Sequence, residues 1–310
     1  MGTWKLSIKP DSQEGFDPFE VCKRNSLIGI GWSYIYENNN IKTKDEAYKV
    51  LSTEESFPQP VRILLDDVST GDYVWLHQQG SFFLCKVEND EAVLGPSISN
   101  DFMKCDLGHA RNATWVKVPS ILVSGRVQRG AIAQRMIQRI RCDKLEEQVF
   151  EYLHSKLSSN PNWQPELNDD EIFDTANKLS NQDVKHLLTP DDYEDIVAAF
   201  LQSDGWILLK STCFRSKPKF EFMMLKPGPS YGHVQVKSGN IQLPPSEYTG
   251  WVSKTDNVFL FSTHSDPYPG QQIRGVNTIS FDEIFIWLKA NIWAISPSLK
   301  MKIQLVSEIK

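Results

Sequence analysis

The stretch Thr189-Pro190-Asp191-Asp192-Tyr193-Glu194-Asp195-Ile196-Val197-Ala198-Ala199-Phe200-Leu201, which leads into Gly205-Trp206, decides the fold class of the C-terminal part of this 310-residue chain. Thr189 predicts a helix N-cap, Pro190 suits the first helical position, and acidic residues in the first turn favour the same start. The apolar residues between positions 196 and 201 form one face, and Gly205 ends the helix.

The sequence after this helix predicts a mixture of strands and helices. Strands are predicted at 206–209, 220–225, 233–237, 258–261 and 302–306, and helices at 246–252 and 281–291. Counted from Thr189, the order is helix, three strands, helix, strand. We therefore predict an α+β protein whose residues 188–310 form an αβββαβ domain.

Three polar residues of this domain lie where chemistry could take place. Glu221 lies on one predicted strand, and Gln235 and Lys237 lie on the next. Alternate side chains of a strand share a face, so Gln235 and Lys237 point the same way. Hydrolysis of a phosphodiester needs a divalent cation and a nearby positive charge. An acid and a backbone carbonyl would hold the cation, and a lysine would supply the positive charge. The alternative is an ordinary cross-strand ion pair.

Residues 188–265 resemble the Mrr-type branch of the PD-(D/E)xK restriction endonuclease superfamily. The resemblance rests on the helix from Tyr193 to Leu201, on Gly205-Trp206, on Glu221 and on Val234-Gln235-Val236-Lys237. That branch has an aromatic-Glu-x-Leu/Val-Val helix, then Gly-Trp or Gly-Tyr before a strand, and an acid followed by Gln-x-Lys. The αβββαβ order agrees with the core of the superfamily.

The resemblance implies a role for each matching position. Glu221 would be the metal-binding acid, and Gln235 would take the metal-site position that is Asp or Glu in the commoner variant. Lys237 would be the catalytic lysine, and Glu194 the helix acid that supports the site. The implied cofactor is Mg²⁺ or Mn²⁺. The family acid is usually Asp after Gly-Gly or Gly-x, whereas Glu221 follows Pro218-Lys219-Phe220, a departure that favours a degenerate site as the alternative.

Residues 1–124, with several short strands and one or two helices, predict a small β-barrel-like domain or a β-sandwich. The segments Trp4-Lys5-Leu6-Ser7-Ile8, Leu27-Ile28-Gly29-Ile30-Gly31-Trp32 and Thr70-Gly71-Asp72-Tyr73-Val74-Trp75 are similar to EVE and PUA-like domains. This resemblance implies the sensing of nucleic acid, often of a modified base flipped into an aromatic pocket. Trp4, Trp32 and Trp75 are then candidate walls that stack on the base, and barrel core is the alternative for each.

Residues 125–187 predict a helical connector in which the charge changes sign. Positions 126–144 hold six basic residues and one acidic residue, and positions 145–195 hold three basic and thirteen acidic residues. Arg126, Arg129, Arg135 and Arg139 offer a phosphate-binding face, the last two being four apart on a predicted helix. A solvated helix face, or a partner for the acidic segment, is the alternative.

Composition and motifs exclude several other classes. The net charge of −6 and the 40% of hydrophobic residues are typical of a globular protein. The 5 cysteines include no Cys-x-x-Cys, and P-loop, His-Glu-x-x-His and Gly-x-Ser-x-Gly motifs are absent. Without an apolar run of membrane-spanning length or a leader-like start, we expect a cytoplasmic protein with no membrane partner.

The leading hypothesis is a metal-dependent DNA endonuclease of restriction or anti-phage type, which recognises DNA that can be modified or foreign. The runner-up is a catalytically inactive protein with the nuclease fold that binds or senses nucleic acid within a defence complex. A pure protein-interaction module is a third hypothesis. The aromatic helix at 281–291 and Trp293 leave open a homodimer interface, with protein core as the alternative.

Overall fold

The computed structural model describes residues 1–8, 12–37, 39–53, 58–97, 100–132, 135–213, 219–228 and 230–309. They form two compact units. The N-terminal unit comprises Met1–Val123 and Val127–Gln164, and the C-terminal unit comprises Ser124–Arg126 and Pro165–Glu308. The expected connector, 125–187, is therefore divided between the two units.

The N-terminal unit alternates strands with mostly short helices. In chain order its elements are β1 (Thr3–Leu6), α1 (Pro18–Arg24), β2 (Leu27–Ile30), α2 (Lys44–Leu51), α3 (Gln59–Arg62), β3 (Tyr73–Gln78), β4 (Ser81–Leu94), α4 (Asn100–Lys104), β5 (His109–Val118), α5 (Gly125–Ile132), β6 (Ile137–Ile140) and α6 (Lys144–Ser159). The first two residues of α5 belong to the C-terminal unit. A π-helical turn, Ile63–Asp67, follows α3.

The six strands of this unit form one mixed sheet in the order β2-β5-β4-β3-β1-β6. β1 runs parallel to β3, and the other neighbouring pairs are antiparallel. Helix α6 packs on the sheet through Phe150, whose ring meets that of Trp75 at 5.3 Å. No pairing in the described ranges joins the outer strands β2 and β6, so the expected barrel-like arrangement is corrected to an open sheet.

The helix expected at residues 137–140 is not found in the structure. These residues form strand β6, in which Ile137 pairs with Leu6 and Arg139 pairs with Trp4. The spacing of the apolar residues fits a helix, but Ile137 and Ile140 are buried because β1 offers them a free sheet edge. A distant partner overrides the local periodicity here. The helix expected from Leu145 onward is confirmed as α6.

The C-terminal unit contains a second sheet with helices before and after it. Its elements are α7 (Asp169–Lys178), α8 (Asn181–Leu187), α9 (Pro190–Ser203), β7 (Ile207–Leu208), β8 (Phe222–Lys226), β9 (Ser230–Lys237), a 3₁₀ segment (Pro245–Trp251), β10 (Asp256–Ser262), β11 (Val276–Ile279), α10 (Phe281–Ala290) and α11 (Pro297–Ser307). The predicted order from α9 to β10 is confirmed, and β11 was not predicted.

The five strands lie in the order β11-β10-β9-β8-β7. β9, β10 and β11 are parallel to one another, and β8 is antiparallel to both of its neighbours. On one face Tyr193 of α9 packs against Phe261 at 5.5 Å between ring centroids. The opposite face carries a second core cluster, which consists of Phe220, Leu243, Tyr248, Val258, Leu260 and Val276. Gln235 pairs with Leu260 and thus lies on this second face.

The signals that predicted α9 act as expected. Thr189 caps the helix, and its hydroxyl and the carboxylate of Asp192 form a reciprocal capping box. By contrast, the strand expected at 302–306 is wrong, because these residues belong to α11. That helix has its own start signals, with Ser296 as N-cap and Pro297 in the first turn.

The protein is therefore an α+β protein with two mixed sheets. In the described part of the chain, no helix has both the length and the apolar character that crossing a membrane requires.

Candidate active site

Glu221, Gln235 and Lys237 meet at the junction of β8 and β9. Glu221 precedes β8 by one residue, and its backbone N–H donates to the carbonyl of Val234 over 2.9 Å, which extends the strand pairing. The extended register sets Glu221 beside Gln235. Gln235 Nε2 donates to Glu221 Oε1 at 3.2 Å, and Lys237 Nζ donates to the same oxygen at 2.6 Å. One carboxylate oxygen thus holds both side chains.

The amide of Gln235 is the buried part of this cluster. The residue is only 3% exposed, whereas the side chains of Lys237 and Glu221 are 36% and 23% exposed. A carboxylate only accepts, so the amide nitrogen of Gln235 faces Glu221 and its oxygen is left over. That oxygen has no hydrogen-bond partner among the described residues. Buried polar atoms are rarely unsatisfied, so this oxygen is a candidate ligand position.

Glu194 lies on α9 and is half-buried, and its carboxyl group interacts electrostatically with Glu221 and Lys237. Burial and the negative charges of Glu221 and Asp191 raise the pKa of Glu194 to about 7, although the positive charge of Lys237 opposes them. The carboxyl therefore changes its protonation state near neutral pH. The structure joins Glu221, Gln235 and Lys237 by hydrogen bonds, whereas Glu194, the fourth residue that the sequence assigned to the catalytic site, interacts with Glu221 and Lys237 electrostatically.

Amide and carboxylate oxygens are ligands that Mg²⁺ accepts, so Gln235 Oε1 and Glu221 fit a divalent cation. These two residues form a small ligand set. In the described ranges, no group of three or more His, Cys, Asp or Glu side chains is arranged to hold a metal ion. Pro218, which belongs to the segment before Glu221, lies outside the described residues. The fit of a cation therefore depends on the amide oxygen of Gln235 in addition to the carboxylate of Glu221.

His233 shares the face of Gln235 but takes part in a different group. Its Nε2 lies 3.3 Å from Oδ1 of Asp256. Its ring packs against Phe220 at 5.1 Å and against Trp251 at 5.8 Å. Trp251, at the end of the 3₁₀ segment, is 44% exposed and was not singled out from the sequence. The sequence signal for it is that Phe220 and Trp251 flank the stretch from Glu221 to Lys237.

Two of the three tryptophans proposed as base-stacking walls lie in the core of the N-terminal unit. Trp4 is buried, and its Nε1 donates to Asp72 Oδ2 at 2.8 Å. Trp75 is buried against Phe150. Neither ring presents a face to solvent, so their stacking role is corrected to a structural one. A strand of alternating apolar residues buries its aromatics whether or not a pocket lies nearby.

Trp32 remains as a half-buried candidate in an unusual conformation. Its φ is 68°, which is rare for a bulky residue. The neighbouring Ser33 donates from its backbone N–H and its hydroxyl to Asp106 Oδ1 at 2.8 and 2.9 Å. His109 Nδ1 lies 3.1 Å from the carbonyl oxygen of Gly31 on the other side. These contacts fix the backbone around Trp32.

The four arginines expected on one helical face do not share one. Arg135 lies before β6 and Arg139 within it, both exposed, and the guanidinium of Arg139 lies 5.8 Å from the centre of the Trp4 ring. Arg126 belongs to the C-terminal unit, and Arg126 and Arg129 each interact with other residues of the chain. Arg135 and Arg139 are therefore the exposed members of the set, and they lie at the edge strand.

The aromatic residues near the C-terminus divide between core and surface. Ile284 and Leu288 are buried, and Trp287 is half-buried with its Nε1 donating to Ser203 Oγ at 3.0 Å. Trp293, just after α10, is 77% exposed. The helix is thus mainly part of the core, and Trp293 is the exposed member of the set.

No protein-family model, no curated protein and no solved structure matches this chain.

Proposed function

We propose that the C-terminal unit hydrolyses phosphodiester bonds in DNA with the help of Mg²⁺ or Mn²⁺. The observation that carries this proposal is the convergence of Lys237 and Gln235 on Glu221, with the buried amide oxygen of Gln235 unpartnered among the described residues. An ordinary surface ion pair needs no buried amide beside it. A metal-dependent nuclease needs an oxygen ligand and a cation close together.

The order of elements supports the same proposal. Helix α9, the strands β7, β8 and β9, a 3₁₀ segment and β10 follow the αβββαβ order of the PD-(D/E)xK superfamily. Glu221 precedes β8, and Gln235-Val236-Lys237 ends β9, as the resemblance to the Mrr-type branch requires. We propose this nuclease fold for the C-terminal unit.

Each residue then has a distinct task. Glu221 and the amide oxygen of Gln235 would hold the cation, which supplies polarisation of the phosphoryl oxygen and a lower pKa for the attacking water. The ammonium group of Lys237 would donate hydrogen bonds to the phosphate oxygens on which negative charge develops. Glu194, whose pKa is about 7, can hold or release a proton at its carboxyl beside the site.

The N-terminal unit would recognise the DNA. We propose an EVE or PUA-like role for it, in which Trp32 is the remaining stacking residue and Arg135 and Arg139 contact phosphates. A protein that combines such a unit with a nuclease suits restriction or anti-phage defence against modified or foreign DNA. A homodimer or another subunit of a defence complex would be its protein partner.

Cleavage assays with a matched lysine control test the proposal. The protein is incubated with unmodified and modified DNA in Mg²⁺, Mn²⁺ or EDTA. Lys226 serves as the control, because it also lies on a strand of this sheet and pairs with Asp204 at 3.1 Å with similar exposure. We expect cleavage that needs the metal, is lost in Lys237→Ala and persists in Lys226→Ala. Intact DNA throughout, or equal cleavage by Lys237→Ala, would overturn the proposal.

A second function, nucleic-acid binding without cleavage, is favoured by one observation. Among the described residues, Glu221 and Glu194 are the carboxylates that interact with Lys237, and no group of three or more His, Cys, Asp or Glu side chains could hold a metal ion. A sensor of this kind would bind DNA in a salt-dependent way without cutting it. Calorimetric titration with Mn²⁺ separates the two functions: heat of binding that disappears in Glu221→Gln supports the nuclease, and its absence in the wild type supports the sensor.

A further inference from the structure

Trp251 is a large aromatic residue that the C-terminal unit holds at its surface. It ends the 3₁₀ segment Pro245–Trp251 and is 44% exposed. Its ring meets Phe220 at 5.1 Å with an interplanar angle of 83° and meets His233 at 5.8 Å with an angle of 57°. The indole is thus anchored on one side and open on another.

The residues that anchor Trp251 are themselves fixed. Phe220 is buried in the second core cluster and packs on Tyr248 at 6.0 Å. His233 is tied through Nε2 to Asp256, whose other carboxylate oxygen accepts from Thr255 at 3.0 Å. A side chain supported in this way loses little rotational freedom when it binds a ligand, which favours affinity.

Trp251 is also linked to the candidate active site through Phe220 and His233. Phe220 is the neighbour of Glu221 in the chain, and His233 precedes Gln235 by two residues on the same face of β9. Two residues of a strand span about 7 Å. The support of the indole and the Glu221–Gln235–Lys237 cluster are therefore parts of one sheet face.

The segments next to Trp251 carry charges of both signs. Lys254 is exposed three residues beyond Trp251, and the Nζ of Lys219 donates to the carbonyl of Glu247 at 2.7 Å. The carboxylate of Glu247 is exposed on the same segment and that of Asp256 lies against His233, so these two acids balance the two lysines. An exposed aromatic ring held in place by its neighbours is a platform on which proteins stack unpaired nucleobases.

We propose that Trp251 stacks on an unpaired nucleobase of the substrate and so places the adjoining phosphodiester at Glu221, Gln235 and Lys237. The inference rests on the proposed nuclease function and narrows its substrate to DNA in which a base near the cut is single-stranded, frayed or flipped. A fully paired duplex keeps its bases inside the stack, where the indole cannot reach them.

The test measures binding, so that it does not depend on cleavage. Fluorescence anisotropy in EDTA gives the Kd of the full-length protein for labelled single-stranded oligonucleotides. Trp251→Ala should raise the Kd roughly 5- to 100-fold, the effect of losing one base–aromatic stack, and Trp251→Phe should raise it less. Trp293→Ala is the matched control, because it removes a tryptophan of the same unit that is 77% exposed. It should leave the Kd unchanged.

A scan with abasic sites separates stacking from a structural role. Removing one base at a time from the oligonucleotide should reveal a position at which the loss weakens wild-type binding. In Trp251→Ala the same abasic site should have no further effect, since the stack is already lost. If Trp251→Ala does not fold, Trp251→Phe serves in its place and should reduce the effect of that site. Unchanged affinity in the variant, or equal abasic sensitivity in both proteins, overturns the inference.

The two proposals fail in different ways. If Lys237→Ala abolishes cleavage and Trp251→Ala binds like the wild type, the nuclease stands and the stacking role falls. If binding depends on Trp251 but no DNA is cut, the stacking role stands and the nuclease falls. If the protein neither binds nor cuts DNA, both are overturned.

Discussion

Lys237 Nζ lies 2.6 Å from Oε1 of Glu221, in a pair whose two side chains are both partly exposed. Such pairs contribute about 0–1 kcal/mol to stability. We therefore expect Lys237→Met to lower the free energy of unfolding by no more than about 1 kcal/mol. The same variant should slow DNA cleavage by roughly 100-fold or more, because it removes a charge that stabilises the transition state. Urea denaturation and cleavage rates measure the two effects. A stability loss that accounts for the lost activity would contradict this expectation.

Glu194 makes stability depend on pH in a definite direction. Its pKa is about 7 in the folded protein and has an ordinary value of 4.5. Between these values the folded state binds more protons than the unfolded state, so the free energy of unfolding falls as the pH rises. Glu194→Gln should remove this loss, so its stability relative to that of the wild type should rise as the pH increases from 4.5 to 7. Denaturation curves across that range measure it. Glu247→Gln, which changes an exposed carboxylate of the same unit, should follow the wild type.

Local signals explain which parts of the fold could be predicted. The start of α9 depends on Thr189, Pro190 and Asp192, which lie within four residues of one another. Strand β9 alternates between core valines and polar residues, so its faces could be assigned. The meeting of Glu221 with Gln235 and Lys237 followed from the pairing of two neighbouring strands, which is the simplest long-range contact in a sheet.

Distant partners explain what could not be predicted. In α11 the alternation of Lys302, Ile303, Gln304 and Leu305 imitates a strand, yet the two polar residues are buried. Lys302 pairs with Asp192, and Gln304 accepts from the backbone N–H of Asn168 at 2.9 Å. Partners more than 100 residues away make this burial tolerable.

The exposure of the aromatic side chains could not be predicted from the sequence either. Trp4 and Trp75 are core residues, whereas Trp251 is exposed. Tryptophan serves core and surface alike, so the residue type does not distinguish them. What decides its exposure is which segments fold over it, and the strand pattern does not contain that information.

The buried pair of Lys302 and Asp192 should dominate the stability of the C-terminal unit. Both side chains are almost fully buried, and Asp192 Oδ2 also accepts from the hydroxyl of Thr189 at 2.7 Å. Lys302→Met leaves a buried carboxylate without its cation and should cost about 3–5 kcal/mol of unfolding free energy. Lys300→Ala breaks a pair with the exposed Asp169 and should cost less than about 1 kcal/mol.

A double variant distinguishes the buried charge from lost packing. Adding Asp192→Asn to Lys302→Met removes the uncompensated charge and should restore part of the stability. Urea denaturation of the three variants and the wild type measures these differences. Equal losses in Lys300→Ala and Lys302→Met, or no recovery in the double variant, would show that the pair is not what stabilises this helix contact.

Gly108 should be essential for the conformation of Trp32. A Cβ atom at Gly108 would lie 2.6 Å from the carbonyl oxygen of Trp32 and 2.8 Å from that of Gly31, and backbone cannot yield as a side chain can. Gly108→Ala should therefore destabilise the protein by about 1–3 kcal/mol, the usual cost of overpacking. Gly250→Ala is the control, because its Cβ would meet open space. It should change stability by no more than about 0.5 kcal/mol. Urea denaturation followed by circular dichroism compares the two. Equal stability would mean that the backbone at Trp32 shifts without cost, and the tight positioning inferred for that residue would then be wrong.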